Sequence, residues 1–189
     1  MAKYSFNNER GFSLAETIVA VGIMTASLVA LAQLFAMAVG ANTAAKNTTF
    51  ATILAEQKLE QLRALAWGFD AQGLPLSDFA SDTSVQPETP NGGTGLSPSP
   101  DTSLQQNTVG WIDYVDRTGN IVGNSQNAPA GAAYFRRWSV EPLPTNPNNT
   151  LIIQVLVGRI RDRGAADLGR VGRLAEEARV MTIKTRKAQ

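Results

Sequence analysis

The stretch Gly11-Phe-Ser-Leu-Ala-Glu16-Thr-Ile-Val-Ala-Val-Gly-Ile-Met24 opens a run that stays apolar as far as Ala41. Glu16 is its one charge; the next charged residue is Lys46. At about 1.5 Å per residue, a helix over residues 12–41 reaches about 45 Å, more than a ~30 Å hydrocarbon layer requires. A buried core helix of a soluble domain is usually shorter and carries a polar stripe. A secretory signal peptide has an apolar region of only about 7–15 residues, although Ala36-Met37-Ala38 offers a small-x-small site. A plain membrane anchor explains the length but not Glu16, since a carboxylate in a spanning helix is expensive and by default functional.

The flanks fit a membrane segment. Met1 to Arg10 is polar, and Lys3 and Arg10 are cations that would stay on the cytoplasmic side. The apolar run does not end the helical pattern. Residues 42–67 hold neither proline nor glycine, and Ala51, Ala55, Leu59, Leu62 and Ala66 fall at helical spacing beside Phe50, Leu54 and Leu65. Glu56, Lys58, Glu60 and Arg63 are read as occupying the other faces. Residues 42–68 are therefore expected as an amphipathic helix stopped at Gly68. The whole helix would be roughly 80 Å long.

Residues 69–108 are rich in Gly, Pro, Ser, Thr and Asp. The segment Pro87-Glu-Thr-Pro-Asn-Gly-Gly-Thr-Gly-Leu-Ser-Pro-Ser-Pro-Asp101 reads as a loop without a core of its own. Strand patterns follow at 111–115 and 119–122, flanking an Asp116-Arg-Thr-Gly119 turn, then at 133–140, 151–157 and 179–185. The most apolar of these, 151–157, is expected at the centre of the sheet. The linking stretch Arg159 to Glu177 is Arg- and Gly-rich and is expected to be exposed. The fold expected is α+β: a long N-terminal helix packed on an antiparallel meander of about four strands within residues 109–189. Tyr114, Tyr134, Phe135 and Trp138 are read as core or sheet surface rather than a base-stacking platform.

Composition narrows the chemistry. The 189 residues contain no cysteine and no histidine, with 17 Lys plus Arg against 16 Asp plus Glu. No disulfide can form, and the commonest general base and metal ligand are missing. A zinc site and a Ser-His-Asp triad are excluded; no catalytic residue, metal or cofactor is expected. The charge is uneven: residues 64–116 hold seven acids and no base, whereas residues 117–189 hold twelve bases and five acids. Subunit complementarity and solubility account for such an asymmetry, and nucleic-acid binding is the alternative.

Arg10-Gly11-Phe12-Ser13-Leu14-Ala15-Glu16 resembles the processing site of type IV prepilins and type II secretion pseudopilins. In that family a short basic leader ends in Gly, Phe usually follows, and a Glu four residues on heads a long apolar helix. The resemblance implies that residues 1–11 are a leader, cut after Gly11 by a membrane-embedded prepilin peptidase that also methylates the new amine of Phe12. It further implies that Glu16 pairs with the Phe12 amine of a neighbouring subunit during assembly. The Ala51 to Leu65 segment resembles the post-membrane helix of PilV-type minor pilins and small pseudopilins. A proline common in the family's mature helix is replaced here by Gln33, which leans toward a minor pilin or pseudopilin and away from a major pilin.

The partners implied are the peptidase, other pilin or pseudopilin subunits, and an assembly platform in the bacterial inner membrane. The place implied is that membrane for the precursor and an extracytoplasmic filament thereafter. Two rivals stand beside this reading. One is a single-pass protein with an extracytoplasmic binding domain; the other is a DNA-uptake pilin using the Arg-rich C-terminal part.

Overall fold

The computed structural model describes residues 11–160 and 177–186. Helix α1 runs Leu14–Ala64 and is followed by seven strands: β1 (Trp67–Phe69), β2 (Pro75–Ser77), β3 (Ile112–Val115), β4 (Ile121–Gly123), β5 (Tyr134–Pro142), β6 (Thr150–Arg159) and β7 (Glu177–Thr185). The chain divides into two compact units, Met1–Thr43 and Ala44–Gln189. The first contains the apolar part of α1. The second contains the rest of α1 and every strand.

The second unit is the α+β domain the sequence predicts. Its sheet is antiparallel, in the order β4-β3-β5-β6-β7. On α1, Ala51, Leu54, Ala55, Leu59 and Leu62 are buried, and they form one core with Val115, Trp138, Val140, Leu151, Ile153, Val155 and Val157. The alternation of β6 places Leu151, Ile153, Val155 and Val157 on the helix side. A sheet covered on one face by an amphipathic helix has this pattern.

Three details depart from the expectation. The sheet has five strands where about four are expected, one at each of the five strand patterns, with 121–123 at the edge through Tyr114 and Val115. It is not a simple meander: β3 pairs with both β4 and β5, so the chain passes back across β3 after β4. The ten residues between β4 and β5 give the length for that return. Strand β6 is interior, between β5 and β7, but β5 is the central strand.

The helix also ends before Gly68. Its last residue is Ala64, and Gly68 lies in β1, opposite Leu76 of β2. A tertiary contact closes it: the Lys184 ammonium on β7 donates to the carbonyls of Arg63 and Leu65, the latter at 2.7 Å. The last carbonyls of a helix need such donors. Arg186 holds the next stretch. Its guanidinium lies 3.6 Å from the Trp67 ring centroid and donates to the carbonyls of Gly68, Leu76 and Asn148 and to Ser77 Oγ. A cysteine-free chain thus fastens its C-terminal strand by two cations, Lys184 to the helix end and Arg186 to β1 and β2.

The expected loop at 69–108 is ordered packing. Leu96 and Leu104 are buried, as are Ser81, Thr83, Ser84 and Ser103. Local polar bonds replace regular ladders here: Asp78 Oδ1 accepts from the Ala80 and Ser81 amides, and Asp82 Oδ1 accepts from the Ser84 amide. These are the turns that Asp and Ser favour. Gly93 is required by close approach, because a Cβ there would lie 2.2 Å from Asp82 Cα. Periodicity carries no signal for such a segment.

Candidate functional site

The proposed processing and assembly residues lie at the head of α1. Gly11, Phe12 and Ser13 precede the helix and are exposed. The Gly11–Phe12 peptide bond is therefore outside the regular hydrogen-bonded backbone. Ser13 starts the helix: its Oγ accepts from the Glu16 amide at 3.2 Å, and its carbonyl accepts from the Thr17 amide. This is an N-cap, and it satisfies one of the free amides of the first turn. The cap explains why the helix begins at Leu14 and not at Phe12.

Glu16 sits in the first turn, where the helix dipole favours an anion. Its carboxylate forms no ion pair among the described residues. Beyond it, as far as Ala41, apolar side chains lie on every side of the helix, with Thr17, Thr25, Ser27 and Gln33 the polar ones among them. Ile18, Val21, Leu28, Leu34, Phe35 and Val39 are each more than half exposed. The helix is long and apolar enough to cross a membrane. Such a surface is compatible with a membrane anchor. Gly11, Phe12 and Glu16 are thus brought together at one helix end by sequence adjacency.

The second unit holds a charged cluster that the sequence reading missed. Lys58, placed above on the solvated faces with Glu56, Glu60 and Arg63, is wholly buried. Its three protons are all used. The Nζ donates to the Thr83 carbonyl, to Thr83 Oγ1 at 3.0 Å, and pairs with Asp113 Oδ2 at 3.2 Å. It also lies 3.8 Å from the Trp138 ring centroid. Asp113 is fully buried too, and Arg136 grips it side-on: Nε to Oδ1 at 2.7 Å, Nη2 to Oδ2 at 2.8 Å. Asp113 and Arg136 are direct cross-strand partners on β3 and β5.

Desolvation pulls the Lys58 ammonium down from 10.5 to about 8; Asp113 opposes this and the Arg136 charge adds to it. The cluster joins helix, loop and two strands, and nothing in it resembles a nucleophile with a general base. The missed signal was present: Lys58 is four residues from both Leu54 and Leu62, inside the apolar stripe. Asp113 likewise interrupts the apolar run Trp111-Ile-Asp-Tyr-Val115.

The aromatic residues Tyr114, Tyr134 and Trp138 are buried, as core residues rather than an exposed platform. Several basic residues of the C-terminal part are committed inside the domain. Arg136 holds Asp113, Arg137 donates to Asn107 and to the Leu104 and Gln105 carbonyls, Lys184 closes the helix end, and Arg186 holds β1 and β2. The leader Met1 to Arg10 and most of the Arg- and Gly-rich stretch after Arg159 lie outside the described residues.

No family model, no curated protein and no solved structure matches this chain.

Proposed function

We propose that the chain is a structural subunit of a type IV pilus or type II secretion pseudopilus, of the minor-pilin or pseudopilin kind, and a substrate of prepilin peptidase rather than an enzyme. The observation that carries the reading is Glu16, without an ion-pair partner among the described residues, at the head of a long apolar helix and four residues after Phe12 of the exposed Gly11–Phe12 bond. The layout of the second unit supports it: an amphipathic helical half laid on an antiparallel sheet.

Cleavage after Gly11 turns the amide nitrogen of Phe12 into a cationic amine. In an apolar assembly that amine and Glu16 of the adjacent subunit would be desolvated together, which makes their attraction strong and their separation costly. The pair would set the axial register of one subunit on the next.

The test is Glu16→Gln, which keeps shape and hydrogen bonding and removes the charge. The variant is expected to be cleaved and inserted normally, with insertion slightly eased. The ratio of filament-associated to membrane-associated subunit should fall sharply at equal expression. An unchanged ratio would reduce Glu16 to a helix-end charge and defeat the assembly argument.

A further inference from the structure

The apolar part of α1 carries five hydrogen-bonding side chains between Thr25 and Thr43: Thr25, Ser27, Gln33, Asn42 and Thr43. The structure treats them unequally. Thr25 Oγ1 donates to the Val21 carbonyl at 2.8 Å, Ser27 Oγ to the Ile23 carbonyl at 2.8 Å, and Thr43 Oγ1 to the Val39 carbonyl at 2.9 Å. Each hydroxyl hands its proton to the turn before it, so each enters an apolar phase at little cost. Asn42 lies near the end of the apolar run, four residues before Lys46. Gln33 has no such outlet. Among the described residues its amide has no hydrogen-bond partner, and it is exposed on the helix surface.

Its position makes this matter. The charge-free run spans residues 17–45, with its middle at residue 31. Gln33 is two residues beyond it, about 3 Å along the axis. That is where water is scarcest if α1 crosses a bilayer, and where an unmet amide costs most. On the same helical face, within one or two turns, lie Ala26, Ala30, Ala36 and Gly40, which let another helix approach closely.

We infer that Gln33 is a helix-pairing residue. Its amide would hydrogen-bond across to the amide of Gln33 in a second copy of this chain while both are in the membrane. A carboxamide is donor and acceptor at once, so the group that best satisfies it is another carboxamide at the same depth. Two copies of one helix, each with Gln33 at mid-span, supply that match without any other protein. The inference rests on the reading of α1 as a membrane helix, but not on processing at Gly11 or on pairing through Glu16.

Full-length chain in phosphatidylcholine vesicles tests it. The native chain has no cysteine, so Ala71→Cys gives a single labelling site on an exposed turn. Donor- and acceptor-labelled protein are mixed, and energy transfer is followed as lipid is added. Wild-type Gln33 should give transfer that survives dilution. Gln33→Leu, which inserts at least as well, should weaken association about three- to twentyfold, the range measured for hydrogen bonds between membrane helices. Gln33→Asn should retain most of it. Transfer equal to wild type in Gln33→Leu would overturn the proposal. So would a monomeric wild type, even if Gln33→Leu still lowered entry into filaments, because the partner would then be a different protein. The mass of the mature N-terminus, read in cells for the same variants, should not change, which separates failure here from failure of the processing reading.

Discussion

Lys58 Nζ and Asp113 Oδ2 lie 3.2 Å apart with neither residue exposed, which ties the amphipathic half of α1 to strand β3 through the middle of the core. Asp113 answers two cations, Lys58 and Arg136, and Thr83 completes the shell of the lysine. Buried charges persist only when paired and hydrogen-bonded, and removing one partner costs far more than the pair is worth.

Asp113→Ala should therefore destabilise the domain severely, by about 3–5 kcal/mol, because it leaves two buried cations unpaired. Lys58→Met should cost much less. It removes the excess cation and leaves the side-on Asp113–Arg136 pair intact. Urea midpoints of the two variants decide this; equal losses would mean that the lysine, not the carboxylate, organises the cluster.

The same lysine predicts a pH dependence. Its ammonium titrates at about 8 when folded and near 10.5 when unfolded. Below pH 8 both states carry the proton and the folded state bears the full desolvation cost. Between pH 8 and 10.5 the unfolded state binds more protons, so stability rises with pH. The gain from this group is at most roughly 3 kcal/mol. Stability measured from pH 7.5 to 10 should rise relative to that of Lys58→Met. A difference that stays flat would show that Lys58 is not desolvated as described.

A chain starting at Asn42 should fold as a soluble monomer, since the whole core lies within Ala44–Gln189. Leu62 is fully buried against the sheet. Leu62→Asp in that chain should unfold it, because a buried unpaired carboxylate costs several kcal/mol. Circular dichroism melts check both statements, and an unchanged Tm would show that the stripe does not face the sheet.

Arg186 lies over the Trp67 ring, 3.6 Å from its centroid, while bonding three carbonyls. Arg186→Lys should behave nearly as badly as Arg186→Ala, since an ammonium lacks the planar guanidinium and its fan of donors. Hydrogen exchange at the β1–β2 amides would register the loss. Protection restored by lysine would mean that charge alone matters there.

The helix and the sheet were legible because burial imposes a period. Ala51, Ala55, Leu59 and Leu62 mark a stripe, and 151–157 is apolar and β-branched. Ser81 to Leu96 was illegible for the opposite reason: its order comes from Asp and Ser side chains bonding nearby amides and from Gly93 under another backbone. Neither leaves a periodic trace. Lys58 looks solvated by residue type but buried by position: it sits in the stripe between Leu54 and Leu62, and an acid, Asp113, interrupts an apolar strand. At the head of α1, Gly11, Phe12 and Glu16 were readable as a motif, but the capping by Ser13 that sets Leu14 as the first helical residue needed coordinates.

The central claim is that this chain is processed at the Gly11–Phe12 bond into a filament subunit. Mass spectrometry of the membrane-extracted protein tests it most directly, with Gly11→Leu as the companion variant. The account predicts a mature chain beginning at Phe12 with one methyl group on its amine, and a variant that keeps residues 1–11. A wild-type protein that retains residues 1–11, or a Gly11→Leu variant matured as usual, would contradict it.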